Sequence, residues 1–167
     1  TSNAHVNDLV EKFESTTYMQ ANSVFANTGK GTFSASNCPA LSDASKAHRG
    51  LAVADLDGDG KLDAVVTALR DKAELWHNVT GTANHWIAIR LQGTRSNRDG
   101  IGAIVQIGTQ TNHMTSSEGY SSSSLTPVHF GLGSAARVPK IEVRWPSGTK
   151  QMLTDVAADQ VLSVKEP

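Results

Sequence analysis

Asp55-Leu56-Asp57-Gly58-Asp59-Gly60-Lys61-Leu62-Asp63 is the stretch on which the fold turns. Its carboxylates fall at positions one, three, five and nine of a tight loop, with glycines at four and six. Calcium takes hard oxygen ligands at roughly 2.3–2.6 Å, and alternate residues of a tightly turning loop can aim side chains at one point. On this spacing Asp55, Asp57, Asp59 and Asp63 supply side-chain oxygens, and Lys61 offers its backbone carbonyl while its ammonium points to solvent. Gly60 stands where the chain must turn sharply, and glycine takes a positive φ without a Cβ clash. Carboxylates held this close repel one another unless a cation sits among them. The bland alternative, a solvated acidic β-turn, needs one Asp-Gly and not four carboxylates at alternate spacing.

The flanks decide the kind of loop. An EF-hand carries a bidentate Glu at position twelve and a helix on each side. Position twelve here is Val66, and the flanks Gly50-Leu51-Ala52-Val53-Ala54 and Leu62-Asp63-Ala64-Val65-Val66-Thr67 are short, valine-rich apolar runs. Such runs read as buried strands. The loop therefore joins two strands, and the site closes with Asp63 at the start of the second.

The chain of 167 residues can hold one or two domains and bury a real core. A net charge of −1 gives no footprint for nucleic acid or an anionic membrane. No apolar run approaches the roughly 20 residues of a membrane span and no leader-like segment is visible, so membrane insertion is not expected. With 14 glycines and only 5% aromatics, the composition suits an all-β protein of many short strands. Cys38 is the single cysteine, so no disulfide forms within this sequence. A calcium site of this type points to calcium-rich surroundings: extracellular, cell-surface or periplasmic.

Taken in order, residues 1–17 are polar, with a helical turn around Asp8–Phe13. Ser23–Asn27 and Thr32–Ser34 flank Thr28-Gly29-Lys30-Gly31, which predicts a hairpin. Asn37 to His48 reads as a loop, the aspartate-loop strands follow, and Glu74–Asn78 is a further short strand. Asn22-x-x-Phe25-x-Asn27-x-Gly29-x-Gly31-x-Phe33, Arg49-Gly50-x-Ala52-x-Ala54-Asp55, the aspartate loop and Leu75-x-x-Asn78 together resemble one FG-GAP (VCBS-type) repeat. That resemblance implies about one blade of a β-propeller whose aspartate loop binds calcium, as in integrin α-subunits. Residues 79–83 read as a linker, and Asn78-Val79-Thr80 is also a glycosylation sequon.

Beyond the linker the alternation is cleaner. Ile87, Ile89 and Leu91 fall on one face of a strand and Trp86, Ala88 and Arg90 on the other. Residues 103–108 and 128–132 form further strands, and 140–145 alternates strictly, with Ile141, Val143 and Trp145 inward. Pro146-Ser147-Gly148 is a turn, and 151–153 and 161–164 complete an antiparallel β-sandwich or barrel-like domain. Asn84-His85-Trp86, the run Gly93 to Ala103, Gly119-Tyr120, His129-Phe130-Gly131-Leu132-Gly133, Val143–Gly148 and Ala158-Asp159-Gln160 resemble the ASPIC/UnbV domain. The resemblance implies the order found in the cartilage acidic protein-like family, where this domain follows FG-GAP repeats in calcium-binding, usually secreted or surface proteins. The expected division is 1–83 and 84–167.

Other groupings carry less. Asn97, Arg98 and Asp99 offer a guanidinium fork and a carboxylate on a loop, either for a ligand or, as favoured here, to lock the loop by internal hydrogen bonds. Gly131 to Ala136 formally fits a dinucleotide fingerprint but shows no helical face. The histidines show no zinc spacing. Ser121–Ser124 lacks a nucleophile elbow and reads as a solvated or O-glycan-accepting loop. Trp76, Trp86 and Trp145 read as core or rim packing rather than a sugar-stacking platform.

The expected protein is thus an all-β, calcium-binding extracellular or cell-surface module acting in protein binding, adhesion or assembly, without catalysis. Its partner is another protein or a second copy met through β edges, with a glycan as a further ligand class. The alternative is an accessory domain of a biosynthetic or degradative system that binds a small molecule or glycan.

Overall fold

A computed structural model describes residues 19–36, 46–120 and 122–167, and every regular element among them is a β-strand. The helical turn expected near Asp8–Phe13, and Cys38, lie outside the described residues. Among the described residues no helix is long and apolar enough to cross a membrane.

The chain divides into two compact units. One takes the described residues of 1–53, 64–77 and 119–123; the other takes 54–63, 78–118 and 124–167. The aspartate loop therefore groups with the C-terminal residues, although the strands that carry it run into the first unit.

In the first unit, β1 (Val24–Asn27) and β2 (Phe33–Ser36) form the expected antiparallel hairpin. The Asn27 side chain closes its turn by accepting the Gly29 N–H at 2.8 Å. A three-stranded sheet follows in the order β3 (His48–Ala54), β4 (Asp63–Ala68), β5 (Glu74–Trp76), with Val65 opposite Leu75. His48 was expected to end a loop; it opens β3 and is fully buried. Its Nε2 lies 3.4 Å from the Glu74 carboxylate, which Lys46 also contacts at 2.7 Å.

The second unit contains β6 (His85–Gln92), β7 (Ile104–Ile107), β8 (Gln110–His113), β9 (Val128–Gly133), β10 (Arg137–Arg144), β11 (Lys150–Ala157) and β12 (Gln160–Lys165). One sheet has the order β11-β10-β7-β8 and the other β12-β6-β9. Their inner faces share one core: Ile87, Ile89 and Leu91 of β6 and Phe130 of β9 meet Val105 of β7 and Ile141 and Val143 of β10, with Trp145 just beyond. Ile87, Ile89, Leu91, Ile141, Val143 and Trp145 are the inward residues that the alternation predicts. Burying each such side chain contributes about 1.5–3 kcal/mol.

One pairing departs from the antiparallel pattern. β12 runs parallel to β6, with Val161 beside Ala88 and Val164 beside Leu91. The connection from β11 is only Ala158-Asp159, and it carries the chain from one sheet to the other. Asp159 anchors that turn: its N–H donates to the Trp86 carbonyl at 2.7 Å, and its carboxylate accepts from the Trp86 N–H at 3.2 Å and His85 Nδ1 at 2.6 Å. The hydrogen bond from His85 holds the Asp159 carboxyl below the usual range. Gly131 to Ala136 closes β9 and leads directly into β10, so the fingerprint-like glycines mark a strand connection.

Candidate metal centre

The aspartate loop is shaped by its own carboxylates. Asp55 accepts the N–H groups of Gly58 at 2.8 Å and Asp59 at 3.1 Å on one oxygen, and that of Gly60 at 3.0 Å on the other. Asp57 accepts the Asp59 N–H at 3.2 Å. Asp63, nearly fully buried at the start of β4, accepts from Leu56 N at 3.1 Å and from Asn78 N at 2.7 Å. A side chain whose rotamer is fixed by backbone donors needs little reordering to hold an ion.

Asp55, Asp57 and Asp63 are brought together: each offers a carboxylate oxygen within 4.8 Å of the others. Three convergent hard oxygens on a glycine-bearing turn fit calcium. Position twelve, Val66, is buried in β4, as a strand–loop–strand site requires.

Asp59 is not one of this trio, although a carboxylate oxygen of it lies within 4.8 Å of one of Asp57. The Lys61 ammonium does not point to solvent; it pairs with the Asp59 carboxylate, which also accepts the Lys61 N–H at 2.8 Å. An ammonium two residues from a carboxylate in so tight a turn finds it closer than water, and the hydrogen bond it donates to Asp59 raises the Lys61 pKa.

Asn78 closes the loop from below. Besides the bond to Asp63, its side-chain amide donates to the Leu62 carbonyl at 3.2 Å. The nitrogen that would carry a glycan is thus engaged in holding the aspartate loop. Ser122 donates its hydroxyl to the Tyr120 carbonyl at 2.9 Å and accepts the Leu51 N–H at 2.9 Å, and Ser124 is buried, so these two differ from the solvated loop expected over 121–124.

In the Asn97-Arg98-Asp99 loop, the Asn97 side chain accepts the Ile101 N–H at 2.8 Å and donates to its carbonyl at 2.7 Å. Arg98 reaches Asp99 at 3.2 Å in an exposed pair. Gly100 has φ +68, and a Cβ there would stand 2.6 Å from Leu91 Cβ, so the loop lies tight against β6.

Two residues at the loop were not assigned to it from the sequence. Trp86 on β6 and His129 on β9 lie against Gly60, and Trp86 is neither core nor simple rim. A cavity of about 380 Å³ adjoins His129, lined also by Asp55, Asp57, Leu56, Arg90 and Val161 among others.

Residues 14–66 match the FG-GAP-like repeat family, and residues 93–167 match the ASPIC and UnbV family. The chain is also similar to cartilage acidic protein 1 of Mus musculus, at 31% identity over 122 residues. That alignment covers 68% of this chain and 18% of the mouse protein, so the chain spans about a fifth of that relative's length.

Proposed function

We propose that this chain, an FG-GAP-like repeat followed by an ASPIC and UnbV domain, is a calcium-binding extracellular or cell-surface module that acts by binding or assembly, without catalysis. One observation carries the reading: Asp55, Asp57 and Asp63 converge to within 4.8 Å, each fixed by backbone donors. These three hold calcium, with the Lys61 carbonyl and Asp59 completing the set. The ion neutralises the carboxylates and thereby ties the ends of the two strands together. Likeness to cartilage acidic protein 1 supports the extracellular setting. The partner meets the repeat through its β edges. Replacing Asp57 by Ala should weaken calcium at least about tenfold; an unchanged affinity would remove Asp57 from the ligand set.

A second reading, a domain that binds a small molecule or glycan, is favoured by the 380 Å³ cavity beside the loop. Its walls combine apolar Leu56, Leu62 and Val161 with the Arg90 guanidinium, the mixture typical of ligand pockets. Chemical-shift changes confined to Arg90 and its neighbours on adding monosaccharides or small carboxylates would support it, and their absence at millimolar ligand would dismiss it.

A further inference from the structure

Gly60 is the point at which the aspartate loop meets the C-terminal sheet. Its backbone has φ +87, and a Cβ built on it would lie 1.9 Å from Trp86 Nε1 and 2.2 Å from Cδ1 and Cε2. The loop backbone therefore lies directly on the indole, at a distance only glycine permits. The Gly60 carbonyl is 2.9 Å from His129 Nε2. A carbonyl accepts only, so the imidazole is protonated at Nε2 and donates. The two rings stack, with centroids 5.8 Å apart and planes 6° from parallel. Trp86 and His129 belong to adjacent strands, paired so that His129 stands opposite Ala88. Both rings share the outer face of the sheet, away from the core that holds Ile87 and Phe130.

The same glycine donates its N–H to Asp55 Oδ2 at 3.0 Å. One residue thus links a carboxylate of the candidate metal centre on one side to His129 and Trp86 on the other. Neither ring belongs to the converging carboxylates; both contact the residue whose N–H reaches Asp55.

We propose that Trp86 and His129 are positioning residues for the metal loop, and that through Gly60 metal occupancy is coupled to β6 and β9 of the C-terminal unit. The inference rests on the calcium reading of the loop. Outer partners of this kind change metal affinity by about ten- to a hundredfold, and coupling is reciprocal: whatever the sheet contributes to calcium affinity, calcium returns to the sheet.

The test is calcium titration calorimetry on the full chain and on His129→Ala, His129→Gln and Trp86→Phe, with amide hydrogen exchange on each with and without calcium. His129→Ala should lose about tenfold in affinity, and His129→Gln, which keeps a donor for the Gly60 carbonyl, should recover most of it. Trp86→Phe keeps an aromatic platform, so it serves as the second probe if the alanine variant fails to fold, and should show a smaller loss. In the wild type, calcium should slow exchange over 85–92 and 128–133, and by less in each weakened variant. Wild-type binding with undiminished affinity in His129→Ala and Trp86→Phe, and no change in exchange at β6 and β9, would overturn the proposal alone. No calcium heat from the wild type would overturn the calcium reading and this proposal with it.

Discussion

Ser96 and Glu166 are joined twice: the Ser96 N–H reaches Glu166 Oε2 at 2.7 Å, and the Ser96 hydroxyl reaches Oε1 at 2.8 Å. Thr94 and Arg95 add their N–H groups to the same Oε2 at 2.8 Å each, and the Ser147 hydroxyl donates to Oε1. The C-terminal end of the chain is thereby tied to the β6–β7 loop and to the turn after β10.

Acid should undo this tie. Burial alone would push the Glu166 carboxyl up, but the hydrogen bonds from Ser147, Ser96 and Thr94 outweigh it and hold the group down to about 2 from 4.5. A depressed carboxyl contributes stability that is complete above the unfolded value and is lost as pH falls toward the folded one. Glu166→Gln should therefore lower the urea midpoint at neutral pH, with the gap from wild type closing between pH 4.5 and about 2. A gap that stays constant across that window would show that the carboxylate charge plays no part.

The strands of the C-terminal unit were legible because their buried faces repeat every second residue, as in Ile87-Ala88-Ile89-Arg90-Leu91. β8 was not: Gln110, Thr111, Asn112 and His113 are polar and all exposed, so no periodicity marks them. The parallel pairing of β12 with β6 joins residues some seventy apart in sequence, which no local pattern encodes. At the aspartate loop the carboxylate spacing was enough to anticipate that Asp55, Asp57 and Asp63 converge. The pairing of Lys61 with Asp59, and the contact of Gly60 with Trp86 and His129, depend on packing. Glu166 is a lone acid in the sequence, and nothing there announces the donors that gather around it.

Residues 84–167 expressed alone should unfold cooperatively in urea, because the core residues from Ile87 to Val164 all lie within them. Their midpoint should fall below that of the full chain, since Trp86 and His129 lose Gly60. Calcium should leave that midpoint unmoved. A molten or insoluble product would show that the core depends on the first 83 residues.

A chain of residues 1–167 should self-associate as concentration rises. Among the described residues the sheet β3-β4-β5 has three strands where a propeller blade has about four, and Leu75 on β5, at its edge there, is 66% exposed. Unpaired edges recruit further strands, and a lysine on the edge discourages this. Light scattering should show mass increasing with concentration for the wild type and less so for Leu75→Lys. A monomer at every concentration, with fast amide exchange over 63–76, would mean that this edge is neither paired nor covered.

Calorimetric titration of calcium into the chelator-stripped full chain, read beside its melting temperature, decides whether the aspartate loop is a calcium site. Binding to the folded state alone raises stability by mass action, about 2.7 kcal/mol when free calcium is a hundred times the dissociation constant. The predicted result is one calcium per chain, with a melting temperature that climbs as calcium is added. No binding heat and an unmoved melting temperature would contradict it, and would leave Asp55, Asp57 and Asp63 as a hydrogen-bonded turn rather than a metal centre.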